Sequence, residues 1–185
     1  MAALTVIQAM VNTGKVNEGK RILIHNANDG IGHYAIQIAK HLGAHVTAAS
    51  GDRFRDFIME CGADEHYGYE RGGFDLSPKR FDFVLDTIGG VNIDKSIKVI
   101  NWGGTLFINQ SDPRNEIMER AKYDGVNAIV ELAQANGRDM SAIAGLLKDI
   151  KIKTHIARSF PFDRLPEAHQ LVETGDYSGK IIVSL

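Results

Sequence analysis

Short aliphatic runs alternate with stretches of helical period along most of this chain, and that alternation restricts the fold more than any other feature. Arg21–His25 (RILIH), His45–Ala49, Phe81–Asp86 (FDFVLD) and Thr105–Asn109 (TLFIN) read as buried strands. Between them, Ile31, Ala35, Ile38 and Leu42 share one helical face. Phe54–Cys61 reads as a second helix, and Ile93, Ile97 and Ile100 mark a third. Gly43 and Gly62 stand where left-handed helix stops belong. A helix carrying Leu4, Ile7 and Met10 or Val11, closed by Thr13-Gly14, precedes the first strand, and a short extended piece is expected at Glu65–Tyr67. Strand–helix repetition of this kind needs crossover connections, so the expected class is α/β with a doubly wound, mostly parallel sheet.

The pattern is thinner elsewhere. Tyr69–Lys79 and Ser111–Pro113 read as loops. Ala128–Leu132 is expected as a strand. Ile143, Leu146, Leu147 and Ile150 mark a helix capped by Asp139 or Ser141. Ile156–Phe160 looks extended, Asp163–Glu173 helical, and Gly179–Leu185 (GKIIVSL) is a last strand.

Composition excludes several function classes. Lys+Arg is 21 against Asp+Glu 23, a formal net charge of -2, which lacks the basic excess of a nucleic-acid binder. No apolar run reaches the roughly 20 residues of a membrane helix, and the N-terminus has no signal-peptide pattern. Cys61 is the single cysteine, so no internal disulfide or multi-cysteine zinc site is possible, and a reduced, cytoplasmic setting is the default. The seven histidines form no close ligand pair, so no metal is expected. Cys61 and Trp102 read as packing residues. Asp86, at a strand end, reads either as a ribose contact or as a structural cap.

The stretch with most chemical content is His25-Asn26-Ala27-Asn28-Asp29-Gly30-Ile31-Gly32, between a strand and a helix. A dinucleotide-binding fold places its pyrophosphate there, on the amides at the helix start. Gly30 and Gly32 suit close backbone approach to phosphate and tight helix–sheet packing. With only two glycines, a turn that binds nothing is an equal reading of the motif alone. The second strand ends in Ala48-Ala49-Ser50 without an acid, and Arg53 follows. An acid would repel a 2′-phosphate and a guanidinium would pair with it, which favours NADPH over NADH. The other reading of Arg53 is an exposed helix-start arginine beside Asp52.

These residues resemble the medium-chain dehydrogenase/reductase superfamily, in its zinc-free quinone-oxidoreductase branch. The loop NANDGIG is similar to that family's GAAGGVG. The likeness continues through LGAHVTAAS, GDRFRDFIMECGADEHYGY, FDFVLDTIGG, NWGGTLFIN and FPFDRLPEAHQLVETGDYSGKIIV. It implies a Rossmann-type NADP-binding domain over residues 1–150. It also implies a C-terminal helix–strand segment, 151–185, which in the family packs on a substrate-binding half that this sequence lacks. Thr5 and Asn109 would lie near the nicotinamide. Asp29, Gly30 and Ile31 would offer amides to the pyrophosphate. Ser50, Arg53 and Tyr69 would surround the 2′-phosphate, Thr87, Ile88 and Gly89 would contact the sugars, and Lys180 is a further candidate.

Two departures stand out. Asn26 and Asp29 occupy family glycine positions. Asn26 tolerates a left-handed turn. The Asp29 charge about 5 Å from a phosphate would repel it by about 1–3 kcal/mol, weakening NADPH binding about 5- to 200-fold unless the carboxylate turns away to cap the helix. The missing half leaves Ile181, Ile182 and Val183 to find cover from another chain, a swapped copy or local packing.

The implied activity is NADPH-dependent reduction of a quinone, enone or related carbonyl compound, with no residue assigned to acid–base catalysis. The alternatives are a degenerate, non-catalytic NADPH-binding or assembly module and, further off, another nucleotide user such as a methyltransferase. Neither nucleic acid nor membrane is an expected partner. A homodimer through an edge strand such as Thr105–Asn109, or association with a missing catalytic half, is expected.

Overall fold

A computed structural model describes residues 1–72, 80–109 and 115–185. Helix α1 (Ala2–Val6) runs on into a wider helical turn, Ile7–Thr13, in which Gly14 N–H reaches back to Ala9 O at 2.8 Å. Six strands follow, β1 (Arg21–His25), β2 (His45–Ser50), β3 (Glu65–Gly68), β4 (Phe81–Asp86), β5 (Ile100–Ile108) and β6 (Asn127–Val130). They form one sheet in the order β3-β2-β1-β4-β5-β6, parallel at every pair. The crossovers carry α2 (Gly32–His41), α3 (Arg55–Glu60), α4 (Val91–Val99) and α5 (Asn115–Tyr123), and α6 (Gly137–Lys148) follows β6. This is the doubly wound α/β sheet that the alternation predicts.

Burial on both faces explains why the strands read as unbroken apolar runs. Ile22 and Ile24 of β1 point into a core with α1 and α2, while Leu23 between them points into the core lined by Ile93 and Ile97 of α4. Gly43 (φ 80°) and Gly62 (φ 102°) end their helices in left-handed conformations.

The structure differs from the local reading in several places. Ile100 opens β5 instead of closing α4, because its backbone is already extended (φ -85°, ψ 139°). Thr105–Ile108 is an interior segment, paired with β4 on one side and β6 on the other, so it is not an edge; among the described residues the edges are β3 and β6. Asn136 caps α6, accepting the Arg138 and Asp139 amides at 2.9 and 3.2 Å, which leaves Asp139 and Ser141 inside the helix. Ile150 lies beyond that helix with φ 55°. Tyr69–Arg71 forms a short helical turn, while residues 73–79 and the Ser111–Pro113 segment fall outside the described residues.

The C-terminal segment forms its own two-stranded parallel sheet, β7 (Ile156–Pro161) and β8 (Lys180–Ser184), linked by α7 (Leu165–Thr174). It docks on α2 and on the β1–α2 loop. Gln37 exchanges two hydrogen bonds with the Lys153 backbone (3.0 and 2.7 Å), the Phe57 and His155 rings lie 4.7 Å apart, and Gly179 N–H donates to Asn28 O at 2.7 Å. Ile156, Phe162 and Ile182 stay exposed.

Candidate functional site

The strand order reverses beside β1, and the loop after β1 opens there onto the N-terminus of α2. Such a switch point is where wound sheets bind ligands. Asn26 takes the left-handed conformation expected of it (φ 50°). A Cβ on Gly32 would sit 2.5 Å from Ala27 Cα and from Asn26 O, so glycine is required for the helix to start this close to the strand.

The Asp29 carboxylate has turned into the loop. Its Oδ1 accepts the Ile31 and Gly32 amides at 2.7 and 2.6 Å, and its Oδ2 accepts Asn26 Nδ2 at 3.1 Å. The Asp29 amide donates to Asn26 O at 3.1 Å. Of the three amides expected to face a pyrophosphate, those of Asp29 and Ile31 are therefore already bonded inside the loop. The Gly30 amide, like that of Asn28, meets no protein acceptor among the described residues. Burial pushes the Asp29 carboxyl above the usual carboxylate range, opposed by the two amides, by Lys180 and by Asn26. The Lys180 side chain lies across Gly30, filling the space that a Cβ there would need.

The three residues expected around a 2′-phosphate do not converge. Ser50 is fully buried, with its hydroxyl on Gly51 O (3.0 Å) and His66 Nε2 (2.9 Å). The Tyr69 hydroxyl turns inward, accepting the Asn26 amide at 2.9 Å and donating to Ala49 O at 3.1 Å. Desolvation raises its pKa far above the ordinary phenol value. Both side chains tie strand ends together, since polar groups buried there need partners. Arg53 alone presents its charge outward, and its Nε lies 3.1 Å from Asp176 Oδ1.

After β4, Thr87 donates its hydroxyl to His25 O at 3.3 Å and so clamps β1 to β4. Ile88 and Gly89 donate their amides to Asp86 Oδ1 at 2.9 and 2.8 Å. Asp86 is thus a structural cap here, and it also accepts Asn92 Nδ2 and the Ser96 hydroxyl. Asn109 follows β5, its amide on Asp86 O at 3.0 Å. Thr5 is buried in α1 with its hydroxyl on Met1 O, and no hydrogen bond joins it to the other candidates.

Sequence reading missed the polar core beneath this edge. Fully buried His25 lies 3.2 Å from the Ser96 hydroxyl through Nε2 and 3.5 Å from the Tyr69 hydroxyl through Nδ1. Burial lowers its pKa to about 4 against the pull of Asp86. It also missed His33, whose Nδ1 lies 3.0 Å from Asp29 O and whose Nε2 faces the His155 amide. A histidine ending an otherwise aliphatic strand was the available signal for His25; nothing local marked Asn28 or Asp176 as cleft residues. No group of three or more metal-ligating side chains occurs among the described residues.

The family model for zinc-binding dehydrogenases matches residues 61–183, well over half of the chain. The chain belongs to that family, within the medium-chain dehydrogenase/reductase superfamily. It is quinone-oxidoreductase-like. It is 30% identical over 211 residues to the mitochondrial NAD(P)H oxidoreductase RTN4IP1 of Bos taurus, covering 99% of this chain and 53% of that protein. It is also 30% identical to a chloroplastic quinone-oxidoreductase homolog of Spinacia oleracea, with 99% and 59% covered. The quinone oxidoreductase of Coxiella burnetii superposes with a TM-score of 0.94 at 30% identity, over 100% of this chain and 58% of that one. A mycobacterial protein solved with NADPH shares the fold (TM-score 0.85, 18% identity, 62% of that chain). The chain thus spans little more than half the length of these medium-chain relatives. No described helix is long and apolar enough to cross a membrane.

Proposed function

We propose that this chain holds the nicotinamide cofactor of an NADPH-dependent oxidoreductase that reduces quinones, enones or related activated carbonyl compounds. The carrying observation is the β1–α2 turn: Gly32 packed against backbone, Gly30 and Asn28 amides without acceptors among the described residues, and an outward arginine after an acid-free β2. Its setting fits a dinucleotide, since β1, β2, β4 and β5 run parallel and bring Gly30, Arg53, Thr87–Gly89 and Asn109 to one edge of the sheet. Gly30, Asn28 and Lys180 would hold the diphosphate, Arg53 the 2′-phosphate, and residues 87–89 the sugars. The obstacle is the Asp29 carboxylate, which must leave the Ile31 and Gly32 amides before a diphosphate takes them. Bound there, the reduced nicotinamide supplies a hydride, and the protein's part is to position it and exclude water. Self-association through β6, which pairs only with β5 among the described residues, belongs to the same reading; a strict monomer by solution mass measurement opposes that part of it.

The Asp29 bonds favour a second reading, a cofactor-binding module without turnover. A thermal-shift comparison of NADPH, NADP⁺ and NADH, followed by NADPH oxidation over a quinone panel, separates the two. Binding with turnover supports the enzyme, binding without turnover supports the module, and no shift with any nucleotide removes both.

A further inference from the structure

The turn from Gly175 to Lys180 crosses the edge of the sheet that the cofactor would face. At one end Arg53 Nε lies 3.1 Å from Asp176 Oδ1, and Arg53 Nη2 donates to Gly175 O at 3.4 Å. At the other end Gly179 N–H donates to Asn28 O at 2.7 Å, and Asn28 Nδ2 donates to Tyr177 O at 3.0 Å. The Lys180 side chain covers Gly30 just beyond.

The shape of the turn is specified locally. Gly175 ends α7 in the left-handed conformation (φ 63°), and the Thr174 hydroxyl accepts the Asp176 amide at 3.2 Å. Those two features aim the Asp176 carboxylate at Arg53. A carboxylate offers a guanidinium the same sign of charge and the same acceptor oxygens as a phosphate monoester. Asp29 does likewise for the Ile31 and Gly32 amides. Two of the chain's own carboxylates therefore stand on the donor groups to which NADPH would present its 2′-phosphate and its diphosphate.

We propose that Asp176 sets coenzyme selectivity, as a tethered internal anion competing with the 2′-phosphate for Arg53. This deepens the NADPH reading above and rests on it. A dinucleotide without the 2′-phosphate leaves the Arg53–Asp176 pair intact. One that carries it must displace Asp176 or share Arg53 with it. Both partners are more than half exposed (57% and 66%), so the competition costs a few-fold in affinity and does not abolish binding.

Calorimetric titration of NADPH and NADH into the full chain tests this, using the unaltered protein, Asp176→Asn, Arg53→Ala and the double variant. Asp176→Asn should tighten NADPH about two- to fivefold, the range set by an exposed ion pair, and leave NADH unchanged. Arg53→Ala should bring NADPH down to the NADH affinity, and Asp176→Asn should add little in that background. Equal changes for both nucleotides, or no change for NADPH, overturn the role of Asp176 while the cofactor reading stands. Binding of neither nucleotide by any of the four proteins removes the cofactor reading and this inference with it.

Discussion

Asp29 Oδ1 lies 2.6 Å from the Gly32 amide nitrogen, inside the cradle that a Rossmann-type domain offers to a diphosphate. The bond gives α2 an N-terminal cap that a glycine in the same place would not supply, and it sets an anion on the donors that a bound diphosphate would need.

Stability and ligand affinity should therefore move in opposite directions at this position. Asp29→Ala removes the cap and should cost about 0.5–2 kcal/mol in urea denaturation. The same change should tighten NADPH in a titration, because it clears an anion from the Ile31 and Gly32 amides. Unchanged affinity would mean that the carboxylate already leaves the phosphate path at no cost.

Gly32→Ala should be strongly destabilising. The new Cβ would meet Ala27 Cα and Asn26 O at 2.5 Å, and backbone atoms cannot swing aside as a side chain can. A loss of about 1–3 kcal/mol is expected from overpacking, read as a lower urea midpoint. Wild-type stability would show that the loop relaxes more freely than its bonds suggest.

Acid should weaken the fold through His25. Its pKa falls from 6.5 unfolded to about 4 folded because burial disfavours the imidazolium. Between those values the folded state binds fewer protons than the unfolded state. Stability is then fully present above pH 6.5 and is lost as pH falls toward 4, by about 3 kcal/mol in all. Denaturation from pH 7.5 to 4.5 should show this slope in the unaltered chain and a flatter one in His25→Asn. His33, also lowered by burial, leaves a residual slope of the same sign.

The Cys61 thiol should be sluggish toward alkylating reagents. Burial, with Glu60 nearby, raises its pKa from 9.0 to about 11. The thiolate fraction at pH 8 is then lower by about 100-fold than for an unshifted thiol, and iodoacetamide labelling should slow in proportion. Labelling at the rate of a free thiol would contradict this environment.

Asp139 tests the attachment of the first helical segment to α6. Its Oδ2 accepts Gln8 Nε2 at 3.0 Å and Asn12 Nδ2 at 3.2 Å, nearly out of reach of water. Asp139→Ala leaves one of the Gln8 amide's partners missing and should cost about 1–3 kcal/mol, with Asp139→Asn recovering part of it.

Periodicity along the chain determined a good deal by itself. The α/β class, the succession of strands and helices, the place of the glycine-containing loop between β1 and α2 and the left-handed turn at Asn26 follow from residues within a few positions of one another. Helix and strand periods and glycine's backbone freedom are local properties. Tertiary structure decided which strand ends the sheet and what occupies the cleft. Whether Thr105–Ile108 is central depends on β6 pairing beside it, and Ser50 and Tyr69 were drawn inward because buried strand ends need partners. Arg53 meets Gly175 and Asp176 across more than 120 residues, and Lys180 covers Gly30 across 150. No sequence period encodes such contacts; only the folding of β8 back onto the β1–α2 loop brings those charges together.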